Sequence, residues 1–124
     1  MKKLFVIILA ALVSGALQGC TTEVQDNTGR EFRGGWIHIV GNTKIKDMSR
    51  AEVQAMFVEV LDSMQTAGCN AVIFQVRPCA DAFYKSDVEP WSRYLSGVQG
   101  VAPAEEWDPM EFMIKESHKR GMEF

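Results

Sequence analysis

Gln75 and Arg77 stand two residues apart in an apolar, β-branched run, Asn70 to Arg77, that Pro78 ends. In a strand successive side chains alternate between faces, so Ile73, Gln75 and Arg77 share one side and Val72, Phe74 and Val76 the other. A guanidinium and an amide on one face can hydrogen-bond hydroxyl groups or orient a carboxylate. A structural ion pair with a buried acid is an equally open role for Arg77. Behind the run come Asp81, Phe83, Tyr84, Lys85, Asp87, Glu89, Trp91, Arg93 and Tyr94. Tyr84, Trp91 and Tyr94 offer flat apolar faces with polar tips. Asp81, Asp87 and Glu89 supply carboxylates, and Asp81 is the first candidate, for binding rather than proton transfer. No CxxC and no His/Cys cluster with zinc spacing occurs, so neither a metal nor a cofactor is expected.

The elements that must position these groups can be read from caps and periods. Trp36 to Val40 reads as a buried strand in which His38 is a satisfied core residue. Ser49 and Glu52 have capping-box spacing. Val53, Met56, Phe57, Val60, Leu61 and Met64 then recur at intervals of three and four, one apolar stripe of a helix that Gly68 stops. Asn70 to Arg77 is the second strand. Asp108 as N-cap, Pro109 and Glu111 open a second helix that runs to Arg120 and ends at Gly121. Met122 to Phe124 begin a third strand, with Glu123 structural. Strand, helix, strand, long connection, helix and strand call for an α/β fold: a parallel sheet with helices packed on it and both strand faces buried. The connection, residues 78–107, shows no convincing period. Structureless connections past about 15 residues are uncommon unless functional, and this one leaves the C-terminal end of a strand, where parallel α/β folds build ligand sites. A complete small doubly wound domain would end in a full strand or helix, so the chain reads as the front of something larger.

The chain has 124 residues, with 13 Lys and Arg against 16 Asp and Glu, and is 47% hydrophobic. That composition supports a packed core in one domain and excludes a disordered or collagenous chain. Nucleic acid is excluded as a partner, because no Lys/Arg run exceeds two and phosphate neutralisation requires a basic footprint. Lys2 and Lys3 followed by ten apolar residues, Leu4 to Val13, have the order of a secretory signal peptide and fall short of the ~20 residues a membrane span needs. The segment closes on Leu17, Gln18, Gly19 and Cys20, which resembles a bacterial lipobox apart from Gln18. Residues 1–19 are therefore expected to be removed and Cys20 to carry the lipid. Residues 20–30 form a polar tether, and residues 31–124 are the globular part. Loss of Lys2 and Lys3 takes the net charge from -3 to -5. Cys69 and Cys79 flank the extended segment Asn70 to Arg77, and the ten positions that separate them, at about 3.3 Å each, hold them too far apart to bridge.

Several blocks in order carry a family resemblance. They are Glu31-Phe32-Arg33-Gly34-Gly35-Trp36-Ile37, Gly68-Cys69-Asn70-Ala71-Val72 and Phe74-Gln75-Val76-Arg77-Pro78, then Asp81-Ala82-Phe83-Tyr84 with Ser86, Glu89-Pro90-Trp91-Ser92, Gly97-Val98-Gln99-Gly100, Trp107-Asp108-Pro109 and His118-Lys119-Arg120-Gly121. Together they resemble the opening of the glycosyl hydrolase-like 10 family. The resemblance implies secreted or lipid-anchored bacterial proteins with a (β/α)₈ TIM barrel that act on cell-envelope or other complex glycans. About two βα units and the start of the third strand would lie in this chain. Gln75 and Arg77 would then point into the barrel near its mouth. Gln75, Arg77, Asp81, Tyr84 and Trp91 become the expected substrate-binding residues. The two catalytic carboxylates of such an enzyme are expected on later strands, beyond Phe124. A glycan-binding lipoprotein without catalysis, and a truncated product without function, are the alternatives.

Overall fold

The computed structural model describes residues 31–124; the expected signal segment 1–19, Cys20 and the tether 20–30 lie outside them. Along the chain come β1 (Gly34–Ile37), a 3-10 turn (Ile45–Asp47), α1 (Arg50–Thr66), β2 (Ala71–Phe74), the one-turn helix α2 (Arg93–Ser96) and α3 (Pro109–Lys119). The capping box forms at Ser49: its hydroxyl accepts the Glu52 N–H, and the Glu52 carboxylate accepts the Ser49 N–H at 2.8 Å. These bonds satisfy two donors that the helix end would otherwise orphan, and they hold the Glu52 carboxyl below its ordinary value. α3 opens on Asp108, whose carboxylate accepts the Glu111 N–H at 3.0 Å, with Pro109 in its first turn.

Both long helices end in the same closure. Gly68 and Cys69 donate back to Gln65 and Met64, and Gly121 and Met122 donate back to His118 and Ser117, at 2.9 to 3.1 Å. The glycines sit at φ +82° and +69°, the left-handed conformation that a Schellman motif requires. Each closure launches a strand. β2 pairs with β1 in parallel, Gly34 opposite Ala71 and Ile37 opposite Phe74. On its other side Ala71 forms a parallel bridge with Glu123, where the third strand begins.

α1 and α3 cover the same face of this sheet, as crossovers of one hand require. Val53, Phe57, Leu61, Val72, Phe74, Met113 and Met122 form the shared core, and Met56, Met64 and Val76 pack on it. The Phe74 ring meets Phe57 and Phe83 edge-on at 5.5 and 5.9 Å. Arg120 ties the helices together: it donates to Asp62 of α1 at 2.6 Å and to Glu116 at 2.8 Å. Hydrogen bonds from Lys119 and Arg120 hold the Glu116 carboxyl below its ordinary value.

Three sequence expectations change. The strand expected over Trp36–Val40 is Gly34–Ile37, and the one expected over Asn70–Arg77 is only Ala71–Phe74, because the second strand bends after Phe74. The Gln75 N–H reaches the Ile37 carbonyl at 2.9 Å, and then the Val76 N–H turns back to Phe74. Ile39 and Val40 lose their ladder partners and donate instead to the Gln75 side-chain carbonyl at 2.9 and 3.2 Å. At the other end β1 begins on glycines, since a Cβ on Gly35 would lie 2.2 Å from the Met64 methyl. Second, the strands are covered on one face only: Trp36 is 62% and Ile73 40% exposed, and His38 is exposed rather than a core residue. Third, residues 78–107 are not structureless. Ala82 bridges Trp91, α2 is capped by Ser92, and Ala82, Phe83 and Leu95 are buried. Among the described residues no helix is long and apolar enough to cross a membrane.

Candidate functional site

The chain leaves β2 through a turn built on one carboxylate. Asp81 is fully buried, and its two oxygens accept the Cys79 N–H at 3.1 Å and the Arg93 N–H at 3.4 Å. It thereby fixes the turn after Arg77 and the start of α2 with a single side chain. The same clamp holds Ala80 at φ +53°, a left-handed conformation that a non-glycine residue adopts at a cost of about 1–2 kcal/mol. A backbone bond from Phe83 to Val76 at 2.9 Å then stitches the loop to the strand end, and bonds from Ala82 to Pro90 and from Ser92 to Ala82, both 2.8 Å, close the loop on itself.

Glu89 is brought beside Arg77 by this folding. The guanidinium donates to one carboxylate oxygen of Glu89, and the Tyr84 hydroxyl donates to the other at 3.4 Å. The Ser86 hydroxyl accepts the Glu89 N–H at 3.0 Å and fixes the backbone beneath it. The Arg77 side chain is 57% exposed and that of Glu89 18%, so the pair lies at the surface with the acid on the inner side. Fork, phenol and carboxylate together present donors, an acceptor and an aromatic ring within one patch. That combination suits a polyhydroxylated ring.

Of the expected site residues, Arg77 and Tyr84 converge on Glu89. Gln75 lies at the same strand end but uses its carbonyl on Ile39 and Val40, which leaves its amide nitrogen as the group able to meet a ligand. Asp81 does not present a carboxylate to the mouth; it positions the loop. Trp91 packs against the core and lines a separate cleft with Lys85 and Trp107. Glu89 is the residue that sequence reasoning passed over in favour of Asp81. Its signal was the Ser86/Glu89 spacing, which lets a hydroxyl receive a backbone N–H three residues on. Cys69 and Cys79 are free thiols. Among the described residues no three His, Cys, Asp or Glu side chains cluster as metal ligands.

With strands in parallel, helices on one face and a polar patch at the strand's C-terminal end, the class of protein can be compared with known ones. The pattern of the glycosyl hydrolase-like 10 family matches residues 31–124, and the chain belongs to that family. Glycosyl hydrolase YngK of Bacillus subtilis (strain 168) is 48% identical over 98 residues, covering 77% of this chain and 19% of the relative. Glycosyl hydrolase DigH of Escherichia coli (strain K12) is 44% identical over 75 residues, covering 60% of this chain and 17% of the relative. The chain thus spans less than a fifth of the length of these curated relatives.

Proposed function

We propose that the whole protein hydrolyses O-glycosidic bonds in cell-envelope or other complex glycans, and that this segment forms part of the sugar-binding mouth of a (β/α)₈ barrel. The observation that carries the reading is the Arg77, Glu89 and Tyr84 cluster at the C-terminal end of β2, the end at which barrel enzymes bind their ligands. Arg77 and the Gln75 amide donate to sugar hydroxyls, Tyr84 offers a ring face, and Asp81 holds the loop that sets them. Hydrolysis needs a second carboxylate at a defined separation. Here Glu89 is engaged by Arg77, so the acid and its partner come from later strands of the longer polypeptide. The same engagement favours one competing reading, a protein that holds glycan without cutting it.

Release of reducing ends from glycan separates the two. Arg77→Ala should lower turnover about 100-fold through misplacement of the ring, and Arg77→Lys should not restore it, because a point charge lacks the planar fork. Unchanged turnover would remove Arg77 from the site, and tight binding with no product would favour the binding protein. The protein is exported under this proposal: residues 1–19 are cleaved, and Cys20 carries two acyl chains that anchor it stably to a bacterial envelope membrane. Cys20→Ala should abolish incorporation of a fatty-acid probe. Equal labelling of both forms would rule out the anchor.

A further inference from the structure

Tyr84 and Glu89 of the mouth are followed within two residues by Lys85 and Trp91, which belong to a second concavity. This cleft measures about 490 Å³, within the range of small-molecule sites, and is closed by the loop before α3 and the first turn of that helix. Trp91 and Trp107, both half-buried, are its apolar walls. Trp107 is braced from outside by Phe112, edge-on at 6.0 Å. Arg50 lies 5.8 Å from the same ring but lines a neighbouring cleft of about 300 Å³. Around the rim stand Lys85, Glu106 and Glu111, all exposed. Asp108 is committed to the Glu111 and Lys85 backbone N–H groups at 3.0 and 3.2 Å, which ties the two sides of the cleft together.

The lining holds three carboxylates, Glu106, Asp108 and Glu111, against the single ammonium of Lys85. Lys85 and Glu106 are 3.8 Å apart, and Glu111 is paired with Lys115 at 2.6 Å, contacts between exposed groups that solvent screens and a ligand can exchange. Indole walls with an acidic rim select a ring that has an apolar face and neutral or cationic edges. We propose that this cleft is an outer sugar subsite that takes a neutral or amino-substituted pyranose and rejects an acidic one. The ring lies against Trp107 and Trp91, with its hydroxyl or ammonium groups on Glu106 and Glu111. The inference rests on the glycan reading above but uses none of the residues on which turnover there depends.

Calorimetry and tryptophan fluorescence on the whole chain decide it, with a glucosamine tetramer and a galacturonate tetramer as probes. The glucosamine tetramer should bind saturably, and the galacturonate tetramer about tenfold more weakly or not at all. Trp107→Ala should weaken glucosamine binding about tenfold. Should that variant fail to fold, the double surface variant Glu106→Gln/Glu111→Gln carries the test: it should cut the preference between the probes about fivefold. No saturable binding, equal binding of the two probes, or a double variant that keeps the full preference overturns the subsite. Unchanged glucosamine binding in a folded Trp107→Ala protein places the ring elsewhere and also overturns it. Retained binding with no hydrolysis by the whole protein sinks the enzymatic reading alone.

Discussion

β1 and β2 have two faces made of alternate residues, and the two differ in almost every physical respect. On one, Val72 and Phe74 lie under α1 and α3 in an apolar core with Phe57, Leu61 and Met113. On the other, Trp36 and Ile73 stand opposite one another in the register and are open. Strand parity alone assigns each residue to its face. The strand ends repeat the contrast in charge. Arg120, inside the helix layer, is fixed by two carboxylates and binds elements together. Arg77, at the mouth, is fixed by one and keeps most of its side chain exposed. One guanidinium serves the scaffold and the other stands at the proposed ligand surface.

The largest effect should come from the covered face. Leu61→Ala removes a fully buried side chain and should cost about 2–5 kcal/mol in urea unfolding, while Trp36→Ala should stay within about 0.5 kcal/mol. Similar losses for both would break the distinction between the faces. Next is the loop clamp. Asp81→Ala leaves the Cys79 and Arg93 N–H groups without their acceptor and should cost about 1–3 kcal/mol, whereas Ala80→Gly, by relieving the positive φ, should stabilise by up to about 1 kcal/mol. A neutral Asp81→Ala would show that the loop is held by its apolar contacts instead.

Much of this was legible in the sequence where the cause is local. The Ser49/Glu52 box, the Asp108–Pro109 start and the stops at Gly68 and Gly121 depend on residues within one turn, so the helices stand where their caps put them. β1 was misplaced because its end is set by the bend of its partner, through Gln75, which lies 36 and 35 residues from the Ile39 and Val40 N–H groups it accepts. The four-residue α2 has no stripe to read, and its start is fixed from Asp81. The choice between Asp81 and Glu89 turned on contacts 12 residues apart in the chain, Asp81 with Arg93 and Glu89 with Arg77: until the loop folds, nothing distinguishes the carboxylate that is buried from the one that faces Arg77.

The smallest effect expected is acidic. Hydrogen bonding lowers the Glu116 carboxyl in the folded chain, so its contribution is present above the unfolded value of about 4.3 and is lost as the pH falls through the folded value. Glu116→Gln should therefore be less stable than the parent by about 0.5–1 kcal/mol at neutral pH, with the difference closing under acid. A difference independent of pH would show that packing, not the charge, holds that corner.

The contrast between the two arginines is tested most directly by measuring thermal midpoint and glycan turnover on Arg77→Ala and Arg120→Ala side by side. Arg120→Ala should lower the midpoint by about 5 °C or more, and Arg77→Ala by no more than about 2 °C. Turnover should fall about 100-fold in Arg77→Ala and, below the midpoint, stay near the parent in Arg120→Ala. A collapsed midpoint in Arg77→Ala, or full turnover in a stable Arg77→Ala protein, would contradict the assignment of the open strand end to the ligand.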